Sequence, residues 1–187
     1  APDTLGQILT KMQPYFKKHG SRGVFSTEVR IDENKVPYWN DATIRFPMPP
    51  AGLMCEIYKN FSEAMFAIAS GEVIDLEPVA KYGAEIMMWS SWAKEEATVL
   101  EFPEKNKKWL KFNNLCKIDE NYKYIPMDKA DGIGSAIGLG DTPEEAEAKA
   151  IKVAKSLVCD SLEFNEDCFD RLDEKIERFE KEKMGRF

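Results

Sequence analysis

Polar and apolar positions change period several times along this chain. From Leu5 to Phe16 the residues Leu5, Ile8, Leu9, Met12 and Phe16 recur at helical steps and line one stripe of an amphipathic helix. Asp3 or Thr4 would cap it, and Pro14 would kink or shorten it. Between Arg22 and Ile31 the period falls to two, with Val24, Ser26, Glu28 and Arg30 on one strand face and Phe25, Thr27, Val29 and Ile31 on the other. After the turn-forming Asp32-Glu33-Asn34-Lys35, a second alternating run from Val36 to Phe46 sets Trp39, Asp41, Thr43 and Arg45 against Tyr38, Asn40, Ala42, Ile44 and Phe46. A turn centred between Glu33 and Asn34 would put Glu28 opposite Trp39 and diagonal to Asp41, so that the two polar faces coincide. A loop one residue longer or shorter would send them to opposite sides.

Pro47, Pro49 and Pro50 stop the second strand. Helical spacing returns at Leu53, Ile57, Phe61, Ala64, Met65 and Ile68, predicting one helix up to Gly71. From Glu72 the chain turns to short β-forming runs: Ala84 to Trp92, Ala97 to Phe102, Trp109 to Leu115, Lys117 to Ile125 and Ile133 to Leu139. These predict a small antiparallel sheet or partial barrel. Gly138 to Asp141 forms a turn, and Thr142-Pro143-Glu144-Glu145 supplies an N-cap, a proline for the first helical position and a capping-box glutamate. The helix should run to about Val158 and bury Ala146, Ala150, Val153, Ala154 and Leu157. A terminal helix follows from Asp167 to Lys183, acidic early and basic late as the helix dipole favours. The fold class is α+β, with a hairpin flanked by helices over residues 1–72 and a β-rich domain with two terminal helices over 73–187.

The 187 residues, 43% apolar and 11% aromatic, suffice for a buried core. A formal charge of -7 argues against nucleic-acid or anionic-membrane binding, because such surfaces need clustered lysine and arginine. No apolar run reaches the roughly 20 residues of a membrane span, and the start lacks the pattern of a signal peptide, so a cytoplasmic location is expected. Cys55, Cys116, Cys159 and Cys168 are too scattered for a zinc or redox motif and are expected as reduced, mostly buried thiols. His19, the single histidine, precedes Gly20 at a helix end, which gives it a capping role and leaves no Ser-His-Asp or Cys-His machinery. The Gly132-x-Gly134 and Gly138-x-Gly140 pairs fit turns and match neither phosphate-loop pattern. Trp89, Trp92 and Trp109, on predicted strands, read as packing residues.

Two readings fit the polar hairpin face. Glu28 and Asp41 on neighbouring strands have the oxygen chemistry to share Mg²⁺, and Arg45 on the same face has the fork geometry to hold a phosphate oxygen. Equally, the face is a solvated surface with cross-strand pairs worth about 0.2 to 1 kcal/mol each.

Glu28 within FSTEVRI, followed by Asp41-Ala42-Thr43-Ile44-Arg45-Phe46 and then prolines, resembles the end of the nucleotide site of ATP-grasp ligases, where an acidic ligand on one strand precedes an acid-x-Asn-x-Arg pattern on the next. Within that family the sequence is most similar to phosphoribosylamine-glycine ligase (glycinamide ribonucleotide synthetase), whose β-rich C-terminal domain carries a stretch like IGSAIGLGDTPEEAEAKAIKVAKSL. The resemblance implies a partial ATP-grasp subdomain at 1–72, ATP and Mg²⁺ as cofactors, Glu28, Asp41 and Thr43 as metal ligands, and Arg45, with Thr43, on the phosphates or acyl-phosphate. It also implies a small carboxylate and an amine as substrates. Thr43 departs from the family by standing where Asn is usual. The lysine-bearing lid and further N-terminal domain of such enzymes would have to precede Ala1, so the expectation is a C-terminal part of a larger ligase, inactive alone. The alternative is a non-catalytic binding or assembly module that kept the scaffold.

Overall fold

The structure is a computed structural model that describes residues 6–49, 51–127 and 130–182. The expected cap at Asp3 or Thr4, together with Leu5, Pro50 and Lys183, lies outside these residues. In chain order the helices are α1 (Gly6–Lys18), α2 (Ala51–Ile57), α3 (Phe61–Ser70), α4 (Pro143–Ala154) and α5 (Leu172–Lys181). The strands are β1 (Ser26–Ile31), β2 (Pro37–Thr43), β3 (Tyr82–Ser90), β4 (Thr98–Leu100), β5 (Leu110–Phe112), β6 (Leu115–Ile118), β7 (Asn121–Tyr124), β8 (Gly132–Gly140) and β9 (Leu162–Phe164). The fold is α+β, as the alternation of periods predicts. Two compact units are drawn from it, one from Ala1–Pro47, Ser62–Asp75 and Asp170–Phe187, the other from Met48–Phe61 and Leu76–Phe169.

In the first unit α1 buries Ile8, and Phe16 meets Phe25 with ring centroids 4.5 Å apart. Pro14 sits inside this helix without ending it. The end comes at Gly20, whose φ of 60° lets Gly20 N donate to Lys17 O (3.3 Å) and Ser21 N to Phe16 O (3.0 Å). His19 donates its amide to Tyr15 O (3.1 Å) and packs its ring 4.4 Å from that of Tyr15. The hairpin β1–β2 turns on Asp32, whose carboxylate accepts the amides of Asn34 (2.9 Å) and Val36 (2.8 Å).

The continuous helix expected from Leu53 to Ser70 is broken into α2 and α3. Lys59 N donates to Glu77 O (2.9 Å), and the Asn60 side chain accepts from Glu77 N (2.9 Å). An asparagine that finds such a partner draws the backbone out of the helix, since its amide competes with helical bonding.

The second unit holds two antiparallel sheets, ordered β5-β8-β3-β9 and β4-β7-β6. Neither closes into a barrel. Strand β8 is the spine, with Ile133, Ala136 and Ile137 fully buried, and α4 lies on it and on β3 through the small residues Ala146 and Ala150. The α4 start is as predicted: Thr142 Oγ1 accepts from Glu145 N (3.2 Å), with Pro143 at the first turn. Its end falls at Ala154, short of Val158, because Val158 pairs with Glu101 in a strand-like bridge, N to O in both directions at 2.8 and 3.0 Å. The run from Lys117 to Ile125 is two strand segments, not one; Asp119 and Glu120 take φ of 49° and 64° and turn the chain back on itself. The last helix starts at Leu172, not Asp167, after Arg171 adopts a left-handed φ of 61°.

None of the four thiols is buried: Cys116 and Cys159 are half-buried, Cys55 and Cys168 exposed, and none is joined in a disulfide. Of the tryptophans, Trp109 packs on the core, while Trp89 and Trp92 are exposed. Among the described residues no helix is long and apolar enough to cross a membrane.

Candidate functional site

Every residue singled out from the sequence lies on or just beyond the β1–β2 hairpin. Near the turn the register pairs Ile31 with Pro37, Arg30 with Tyr38 and Val29 with Trp39. This is the register of a three-residue loop, one residue longer than the expected turn, and Lys35 makes it possible by adopting a φ of 64°. Continued unchanged, it would put Asn40 opposite Glu28 and turn Asp41 to the other face. Instead the register shifts between Glu28 and Val29, so that Glu28 pairs with Asp41, Thr27 with Ala42 and Ser26 with Thr43. Asn40 is the extra residue of a β-bulge, and Trp39 Nε1 donates across it to Asp41 O (2.7 Å).

The outcome differs from the sequence expectation in one respect and agrees in another. Trp39 moves off the polar face and Tyr38 joins it, because directly opposed residues share a face. Glu28, Asp41, Ser26 and Thr43 nonetheless share one face, with the two carboxylates directly opposite rather than diagonal. Glu28 and Asp41 are exposed and Thr43 is half-buried. Glu28 Oε1 lies 2.6 Å from Arg30 Nη2, the neighbour two positions along the same face.

Arg45 falls beyond the end of β2, where its Nη1 donates to Phe46 O (3.1 Å). It lines a hollow of about 380 Å³ with Arg22, Val24, Met65 and Ile68. Arg22 was not singled out from the sequence. Its Nη1 donates to Ala69 O (3.1 Å) at the C-terminal end of α3, a favourable place for a cation, and it brings a second guanidinium beside Arg45. Its only signal in the sequence is a basic residue at the start of the alternating run, four positions before β1.

A pair of opposed carboxylates with a hydroxyl two positions along is a hard-oxygen donor set of the kind Mg²⁺ accepts, provided further ligands come from water or substrate phosphates. Among the described residues no three His, Cys, Asp or Glu side chains gather as a self-sufficient metal cage. Arg22 and Arg45 together suit an anionic oxygen.

No protein-family model matches the chain, and no curated protein matches it. Solved structures do. The fold is that of a part of an ATP-grasp enzyme. The phosphoribosylamine-glycine ligase of Thermotoga maritima matches 88% of this chain at a TM-score of 0.67 and 17% identity, over 42% of its own length. The biotin carboxylase of Campylobacter jejuni, solved as a complex with an ATP analogue, matches 81% of this chain at a TM-score of 0.53 and 16% identity, over 35% of its length. The urea carboxylase of Kluyveromyces lactis matches 94% at a TM-score of 0.52 and 15% identity, over 16% of its length. The chain therefore spans less than half of each of these proteins.

Proposed function

We propose that this chain supplies the metal- and phosphate-contacting hairpin of an ATP-dependent carboxylate–amine ligase of the phosphoribosylamine-glycine ligase type. The observation that carries this is the direct opposition of Glu28 and Asp41 on an exposed hairpin face within an ATP-grasp fold. In this reading Glu28 and Asp41 would hold Mg²⁺, Thr43 would add its hydroxyl to that oxygen set, and Arg45 would steady the phosphoryl oxygens. The parent reaction passes the terminal phosphoryl group of ATP to a carboxylate. An amine then attacks the acyl carbon and phosphate departs, which joins carbon to nitrogen. Held there, the metal would supply neutralisation of phosphate charge. The lysines that grip the nucleotide from the other side would come from outside the stretch shared with the structural neighbours, so this chain alone neither encloses ATP nor turns over.

A second reading has its own observation. Glu28 already pairs with Arg30 at 2.6 Å, and Thr43 replaces the usual Asn, both of which suit a scaffold that has lost the chemistry. Titrating Mn²⁺, a paramagnetic stand-in for Mg²⁺, into the isotope-labelled chain separates the two. Line broadening centred on residues 26–28 and 41–43, and abolished by Asp41→Asn, supports the ligase reading. Broadening that ignores the hairpin overturns it in favour of the scaffold.

A further inference from the structure

The second unit carries a groove of about 700 Å³ bounded by the end of β8, by α4 and by the 3-10 turn Glu104–Trp109. The volume is that of pockets for molecules of cofactor or drug size. Its floor is apolar, built from Trp109, Ile137, Leu139 and Val153. Lys105 and Lys152 line it, and neither has an ion-pair or hydrogen-bond partner among the described residues. Three other polar side chains in the groove are already committed. Lys149 donates to Leu139 O (2.9 Å) and Glu145 (2.7 Å), while Asn106 donates to Ser156 (2.8 Å) and Ser156 to Val153 O (2.7 Å).

Unpaired ammonium groups beside an apolar floor are unusual in a chain with a net charge of -7. Their stems add to the floor while their heads stay available for an anionic group. Two acidic residues, Asp141 and Glu145, also line the groove, and they would repel a second negative charge on the ligand. A polyphosphate is therefore disfavoured, and a single charge on an apolar body is favoured.

We propose that this groove binds an organic monoanion: an aromatic or aliphatic body laid on Trp109, Ile137 and Leu139, with its one charged group held by Lys105 and Lys152. The groove lies wholly in the second unit, so the inference stands apart from the hairpin and from the function proposed for it.

The probes are 1-anilinonaphthalene-8-sulfonate, an anion with an apolar body, and its uncharged relative N-phenyl-1-naphthylamine, each titrated into the isotope-labelled chain. Amide shifts should concentrate at residues 137–141 and 149–156. The double substitution Lys105→Glu/Lys152→Glu removes no hydrogen bond or ion pair among the described residues and should weaken the sulfonate roughly tenfold or more while moving the uncharged probe less than about twofold. The charge-matched Lys117→Glu/Lys123→Glu, away from the groove, should change neither. Shifts centred elsewhere would overturn the proposal. So would an unchanged sulfonate affinity in the groove variant, or equal weakening by the two double substitutions.

Discussion

Glu28 and Asp41 face each other directly across the β1–β2 ladder, held there by the bulge at Asn40. Like charges directly opposed on antiparallel strands repel, and among the described residues only Glu28 of the two has a compensating cation, Arg30 at 2.6 Å. Asp41→Asn should therefore stabilise the metal-free chain slightly, by about 0.2 to 1 kcal/mol. The same substitution should abolish any rise in melting temperature produced by Mg²⁺. Calorimetric melts of both proteins with and without Mg²⁺ check the two effects together. A metal-dependent rise of equal size in both proteins contradicts the shared-ligand geometry.

Strand β8 comes close against α4 at Gly138. A Cβ at Gly138 would lie 2.1 Å from Ala146 O and 2.4 Å from Ala150 N, which are helix backbone and cannot swing aside. Gly138→Ala must then push α4 off the sheet, at a cost of about 1 to 3 kcal/mol or more. Urea denaturation followed by far-UV circular dichroism should show a lower midpoint. An unchanged midpoint would mean that α4 sits farther from β8 than the structure places it.

Glu85 on β3 ties three elements of that unit together. Its carboxylate accepts from Ser135 Oγ on β8 (2.6 Å) and from Leu53 N in the first turn of α2 (2.8 Å). Ser135 is buried, so replacing Glu85 with leucine strands a hydroxyl and a helix-end amide together. Leaving such groups unsatisfied costs about 1 to 3 kcal/mol, and Glu85→Gln, which keeps an acceptor, should recover part of it. Equilibrium unfolding of both variants checks this, with the order wild type, glutamine, leucine expected.

The elements most legible in the sequence are those fixed by neighbours in the chain. Thr142-Pro143-Glu144-Glu145 carries a whole helix start within four residues, and the alternation either side of Asp32 carries a hairpin. What the sequence hides depends on partners far away or on backbone choices that side-chain type barely signals. The break at Asn60 needs Glu77, and the end of α4 needs Glu101 to pair with Val158. Lys35, Glu120 and Arg171 adopt left-handed backbone although residues of these types seldom do, so their exact turn geometry went unsignalled. The hairpin shows both limits at once. Alternation identified the acidic pair, but its register took a longer loop and a compensating bulge that no residue type announces.

The α4 start also makes a pH prediction. Glu145 is held below its ordinary value of 4.5, first by the hydrogen bond from Lys149 and then by the amide of Asp141. A carboxyl group whose folded value is lowered contributes stability that is fully present above its unfolded value and is lost as pH falls through the folded one. Acidification downward from 4.5 should therefore progressively remove the Glu145 contribution. Glu145→Gln keeps an acceptor for the Asp141 amide but carries no charge for Lys149, so the gap in melting temperature between it and the wild type should narrow across that window. Melts of both proteins through the acid range, with the Glu145 side-chain carboxyl followed by carbon NMR, test the linkage directly. A midpoint for that carboxyl at or above 4.5 would contradict the assigned cause.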